Sequence, residues 1–199
     1  MSVTRAGIAV LALTAIAACN PAAPPASPAR TAATSADVTG IAPRHAIVTL
    51  LPAGPPPPMP DKPALLDQIS RQFIPGMLIV RVGQPVEFRN SEDTPHNVSV
   101  VRRESGTEVF NVGTEPRQSH MYVFDRVGQF DVTCDIHEGM EAQVIVARGP
   151  MTTIAGDDGR FSFANIAFGV YTASVTSRGD TVEYPIEVAG GRSQLKLIR

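Results

Sequence analysis

At 199 residues the chain is long enough for one domain, or for one with a small companion. Its formal charge of −2 is close to balance and no basic run stands out, which argues against a nucleic-acid partner. With 18 prolines, 16 glycines, 6% aromatic residues and no tryptophan, the composition suits short strands joined by turns and disfavours long helices.

The first residues read as a targeting segment, a signal peptide over 1–19. Arg5 supplies a positive start, and "AGIAVLALTAIAA" is an apolar stretch too short to span a bilayer comfortably. The segment ends in "IAAC", a cysteine directly after small residues, and this resembles the lipobox of bacterial lipoproteins. The resemblance implies that Cys19 carries lipid and becomes the mature N-terminus. The alternative is an ordinary secretory cleavage site that precedes a cysteine. Asn20 in place of Asp leans, by the same resemblance, towards the outer membrane over the inner one. The expected location is therefore the periplasmic side of a bacterial envelope, with a lipid anchor. Export leaves Cys134 as the sole remaining thiol in an oxidising compartment, where it must be buried, metal-bound or reactive. Residues 20–35, from "NPAAPPASPARTAATS", offer almost nothing to bury and read as a disordered tether.

A short apolar strand, "HAIVTLL" (45–51), precedes the Pro-rich loop "PAGPPPPMPDKP". "PALLDQIS" (63–70) is the one helical alternative in the chain. Regular strands follow: "MLIVRV" (77–82), then "PVEFRN" (85–90), with Val86 and Phe88 on one face and Glu87 and Arg89 on the other. "HNVSVV" (96–101) and "MYVFD" (121–125) are β-branched or aromatic. In "QFDVTC", Phe130, Val132 and Cys134 share a face, and "EAQVIVAR" (141–148) closes the set. Strands of this length parted by Gly, Pro and Asp turns predict an all-β fold built on a β-sandwich. Beyond about residue 150, "GDDGRFSF", "FGVYTASVTS", "TVEYPIEVA" and "SQLKLI" supply further strands, although about fifty residues make a thin independent core.

Within "VTCDIHEGM" (132–140) a thiol, an imidazole and a thioether fall inside seven residues. Cys134 ends a strand on its inward face, and His137 and Met140 follow in a tight loop. His96 opens a distant strand directly after Pro95, whose fixed φ keeps the approach extended. One thiolate, two imidazoles and a weak thioether make the ligand set of a type 1 blue-copper site, trigonal His₂Cys with a long axial Met. Cys-x-x-His alone is a weak signal. The further Met, the upstream strand-initiating His, the alternating strand and the export signal make it specific. Against this stands the plainer alternative of a buried core thiol beside an ordinary loop histidine. Zinc fits less well, because a thioether adds little to a structural tetrahedral site.

Here the chain resembles the cupredoxins, small blue-copper electron carriers with a Greek-key β-sandwich. "FIPGMLIVRVGQPVEFRNSEDTPHNVSV" is similar to the family's first ligand region and "VGQFDVTCDIHEGMEAQVIV" to its second. The resemblance implies one copper held by His96, Cys134, His137 and Met140 in a short loop of the amicyanin type. It also implies a backbone N–H of Asn97 donating to the thiolate, and Asn90 ordering the ligand loops. Asp135 and Glu138 depart from the usual apolar surround of the exposed histidine and imply a more polar docking surface. The wider arrangement resembles methylamine-utilisation-like cupredoxins joined to a carboxypeptidase-regulatory-like or transthyretin-like β-sandwich, on the segment "TIAGDDGRFSFANIAFGVYTASV" (153–175). That resemblance implies a discontinuous smaller module of residues 36–52 and 148–199, with a cupredoxin domain of residues 53–147 inserted between its parts.

His45 and His120 lack partners at metal spacing and read as strand-edge polar residues, with His120 the reserve ligand. No Ser/His/Asp or paired-carboxylate constellation converges, so the chain reads as a non-enzyme. The leading function is a lipid-anchored one-electron carrier serving unidentified redox partner proteins. The alternatives are a copper-binding or delivery module, or an interaction protein that copper merely stabilises.

Overall fold

The computed structural model describes residues 34–190 and 193–197. The predicted signal peptide, Cys19 and the tether up to residue 33 lie outside the described residues. Sixteen strands and no helix make up the described chain. Two come before the Pro-rich loop, β1 (Ser35–Ile41) and β2 (Ile47–Pro52). Nine follow: β3 (Ala64–Ile69), β4 (Gln72–Ile74), β5 (Met77–Arg81), β6 (Pro85–Asn90), β7 (His96–Arg102), β8 (Thr107–Thr114), β9 (Ser119–Val123), β10 (Gly128–Thr133) and β11 (Glu141–Ala147). The last five are β12 (Thr152–Ile154), β13 (Arg160–Ala167), β14 (Gly169–Ser177), β15 (Asp180–Val188) and β16 (Ser193–Lys196).

Strands β3 to β11 form two facing sheets, ordered β5-β11-β10-β7-β8 and β4-β3-β6-β9. The period-2 pattern explains the packing. Along β6, Val86, Phe88 and Asn90 point inward while Glu87 and Arg89 are half-exposed. Between the sheets lie Leu66, Phe88, Val98, Val100, Phe124, Phe130, Val132 and Val144, each nearly or wholly buried. An aromatic run stiffens this core: Tyr122 meets Phe124 edge-on at 4.9 Å, and Phe124 meets Phe130 at 4.6 Å.

The remaining strands form sheets of order β13-β1-β16 and β12-β2-β14-β15 around a second core that includes Val38, Val48, Leu50, Phe161 and Ala173. β1 pairs antiparallel with β13 and parallel with β16, and β2 pairs with β12 and β14, Leu50 lying opposite Ala173. The strands before the Pro-rich loop therefore pair with strands beyond residue 150. A small apolar cluster of Ile47, Ile145 and Ala147 links the two cores.

Three local readings of the sequence change. "PALLDQIS" forms β3, not a helix: it lies parallel to β6, with Leu66 opposite Phe88. A two-residue turn at Ser70 and Arg71, with φ of 53° and 55°, then folds it back onto β4. β8 was invisible because it is an edge strand whose burial scarcely alternates, so "TEVFNVGT" carries no clear period-2 stripe. Ser35, assigned to the tether from sequence, opens β1.

The register gathers one set of loops at one end of the first sandwich. His96 opens β7 opposite Thr114, the last residue of β8, and Arg89 near the end of β6 faces Ser119, the first of β9. Thr133, the last residue of β10, faces Ser99 and Glu141. Loops 91–95, 115–118 and 134–140 and the turn at 70–71 thus share that end.

Candidate metal centre

β7 delivers His96 from the buried start of a central strand, and its side chain has no solvent exposure. Cys134 follows the last residue of the neighbouring β10 and is 7% exposed. The loop then turns back on itself. The Cys134 amide donates to the Met140 carbonyl at 3.2 Å, the Met140 amide approaches the His137 carbonyl at 3.5 Å, and Gly139 adopts φ 80°, a conformation that favours glycine. This closure brings the His137 ring over His96, with centroids 4.6 Å apart.

The donor atoms converge. His96 Nδ1 and His137 Nδ1 stand 3.0 Å apart, and Cys134 Sγ lies 3.8 Å from the first and 3.9 Å from the second. Donors bound at about 2.0–2.3 Å to a single ion stand roughly 3–4 Å from one another, so the three atoms fit one metal. Two imidazoles and a soft thiolate select copper or zinc over hard cations. Met140 is 1% exposed and belongs to the same apolar cluster as Cys134, so a thioether, a donor that favours copper, is buried in the core that carries the thiol. Among the described residues this is the one such group of potential metal-binding side chains that includes a thiol.

Buried amides hold the two ligand segments together. Asn90 Nδ2 donates to the Thr94 and Thr114 carbonyls, both at 2.8 Å, and its Oδ1 accepts from the Glu92 amide at 2.9 Å. That side chain fixes the loop leading into His96. Asn97 works across strands. Its Oδ1 accepts from the Asp135 amide at 2.7 Å, and its Nδ2 donates to Asp135 Oδ2 and Asn111 Oδ1, both at 2.8 Å. The expected bond from the Asn97 amide to the thiolate is not among these; Asn97 reaches the cysteine loop through its side chain.

Three residues that the sequence does not single out, Gln68, Asn111 and Glu92, belong to the same end. Gln68, fully buried, donates Nε2 to the Asn97 carbonyl at 3.0 Å and accepts from Thr114 Oγ1 at 2.7 Å. Asn111 Nδ2 donates to Asp135 Oδ2 at 2.9 Å. Glu92 Oε2 lies 3.5 Å from His96 Nε2. The Arg71 backbone N–H on its other oxygen, against the opposing pull of burial and with smaller help from the His96 ring and the Thr94 hydroxyl, holds the Glu92 carboxyl below the usual carboxylate range. A glutamine inside an apolar strand was the one available signal for Gln68; nothing in the spacing marked the others.

His137 is half-buried, and its neighbour Ile136 is 54% exposed, so this loop is the solvent edge of the site. Asp135 and Glu138 flank it, exposed. The other two histidines stay away. His120 stacks on Phe110 from β9, with centroids 5.0 Å apart. His45 is not a strand-edge residue: it sits in the turn before β2 with φ 57°, its Nε2 3.1 Å from Asp157 Oδ1.

Residues 66–147 match the family described as copper binding proteins, plastocyanin/azurin family. Solved structures similar to the chain include a reduced Cu(I) amicyanin variant at pH 4, at 24% identity over 45% of this chain and 86% of that one, with a TM-score of 0.40. A purple cupredoxin from Nitrosopumilus maritimus is 21% identical over 42% of this chain and 99% of its own, with a TM-score of 0.38. A Cu-containing nitrite reductase from Thermus scotoductus is 21% identical over 43% of this chain and 22% of its own, with a TM-score of 0.40. No curated protein matches.

Proposed function

We propose that this chain, which matches the copper-binding plastocyanin/azurin family over residues 66–147, is a cupredoxin and a one-electron carrier whose copper is held by His96, Cys134, His137 and Met140. The observation that carries this reading is the convergence of Cys134 Sγ and two imidazole Nδ1 atoms, drawn from two distant segments, to within 3.0–3.9 Å. Bound copper supplies a one-electron Cu(II)/Cu(I) couple. The protein's part is to keep the same donors in the same place for both states. β7 and β10 are adjacent central strands whose ends are joined by the Asn97–Asp135 bond, and Gln68 and Asn90 tie the start of β7 and the end of β8 to the facing sheet, so the loops have little freedom to rearrange. The apolar core excludes water from Cys134 and Met140, while half-buried His137 offers the short way in and out for an electron.

Lipidation at Cys19 would hold this carrier at the periplasmic side of the envelope, the outer membrane above the inner, within reach of redox partner proteins. "IAAC" and the apolar stretch before it support that reading. Replacing Cys19 with Ala is expected to move the protein from the membrane to the soluble fraction, and retention in the membrane would contradict the anchor. The second β-core is proposed as a discontinuous accessory module, a reading that the pairing of β2 with β14 supports.

Voltammetry of the copper-loaded chain tests the function. A reversible one-electron wave with fast self-exchange is the expected result. Tight copper binding with no reversible wave would exclude the carrier and favour storage or delivery of the ion.

A further inference from the structure

Glu92 is not needed to close the donor set, yet it is held with more care than a surface glutamate. One carboxylate oxygen, Oε1, accepts the Arg71 amide at 2.7 Å. That amide is presented by the Ser70-Arg71 turn, where two successive positive φ values aim the N–H at the 91–95 loop. Asn90 Oδ1 holds the Glu92 amide at 2.9 Å, so the backbone beneath the side chain is fixed as well. With one oxygen pinned from outside the loop, the other lies 3.5 Å from His96 Nε2, and Thr94 Oγ1 stands 3.4 Å from both. The Glu92 side chain is 20% exposed, so water screens this contact weakly.

The geometry points to Glu92 as a positioning residue for the metal: through His96 Nε2 it fixes the ring's orientation and tautomer and adds one negative charge behind the ligand. This inference rests on the copper reading above. An imidazole that presents Nδ1 to a metal must carry its proton on Nε2, and a carboxylate facing Nε2 selects that tautomer. The charge then favours Cu(II) over Cu(I), because the more highly charged ion gains more from a nearby anion. The consequence is a lower reduction potential than the same four ligands would give with a neutral group behind His96. Asp93, the adjacent residue, has a different role: its carboxylate is 85% exposed and pairs with Arg117 at 2.8 Å.

The test compares Glu92→Gln with Asp93→Asn at one pH in the full chain. Both remove one charge within a residue of each other, and only the first removes it from His96. Glu92→Gln is expected to lower the ratio of Cu(II) to Cu(I) affinity by about threefold or more, a rise of roughly 30 mV at 59 mV per tenfold. Asp93→Asn is expected to produce less than half of that shift. Equal shifts in the two variants, or none in Glu92→Gln, would overturn the inference while leaving the copper reading intact. A wild-type chain that forms no blue copper complex would overturn the copper reading instead. Nitrogen-15 NMR of the metal-free chain tests Glu92 independently of copper. His96 is expected as the Nε2–H tautomer in the wild type and as a mixture in Glu92→Ala, and an unchanged tautomer would remove the positioning role.

Discussion

The two β-cores of this chain are built alike and used differently. Each lies between two small sheets of alternating strands, and each buries Val, Leu and Phe side chains. Among the described residues, the buried polar groups of the second core's strands are the hydroxyls of Thr49, Ser174 and Thr176, two of which bond to a neighbouring threonine. The first core buries Gln68, Asn90, His96, Asn97 and Thr114 at one end, all tied to the loops that carry the donors. Buried amides and imidazoles cost free energy unless each is partnered, and a stable sandwich does not need them. The Gln84 and Gln129 amides are buried away from this end; the group bonded to the donor loops marks the place where fold stability has been traded for a fixed arrangement of ligands.

The contrast can be broken most severely at Cys134. Replacement by Ser is expected to abolish the intense visible absorption of the copper-loaded chain, since that band requires a thiolate; retention of the band would refute the site. The matched change in the other core, Leu50→Ala, removes a fully buried side chain. It is expected to destabilise the chain by about 2–5 kcal/mol, measured by denaturant unfolding, while leaving the copper spectrum unchanged. A spectral change in Leu50→Ala would show that the two cores do not work separately.

A finer cut falls between the polar end and the apolar bulk of the first core. Gln68→Leu keeps the side chain's bulk but leaves the Asn97 carbonyl and Thr114 hydroxyl without their partner. The expected cost is about 1–3 kcal/mol, accompanied by a shifted copper spectrum that an apolar core change of equal cost would not produce. The smallest effect is on the outer face of the same sandwich. There the Arg89 guanidinium, with Nη2 2.9 Å from Glu87 Oε2, holds the Glu87 carboxyl below its ordinary range. A carboxyl depressed in the folded state contributes stability at neutral pH that is lost as pH falls through its folded value. Glu87→Gln should therefore flatten the acid limb of the stability curve slightly, in a pH series of thermal melts, without altering the copper spectrum.

The sequence revealed these features unevenly, for physical reasons. β6 and β10 alternate cleanly because one face is buried and the other wet, and both were legible residue by residue. β8 and β4 were not: an edge strand and a three-residue strand carry too little periodicity to separate from loop. β3 also escaped, because "PALLDQIS" suits a helix as well as a strand until tertiary pairing with β6 decides. At the site, Cys134, His137 and Met140 announced themselves by chemistry at short spacing, and His96 by its place after Pro95. Gln68 and Asn111 did not, because what brings them there is sheet register, which is invisible in a single chain read linearly. Glu92, four residues before His96, did not, because only the folded 91–95 loop turns its carboxylate back to the ring.

The most direct measurement is the visible spectrum of the full chain as Cu(II) is added. An intense absorption that saturates at one copper per chain is the predicted result. A weak spectrum of ordinary tetragonal Cu(II), or no saturable binding, would contradict the claim that residues 96, 134, 137 and 140 close around one metal.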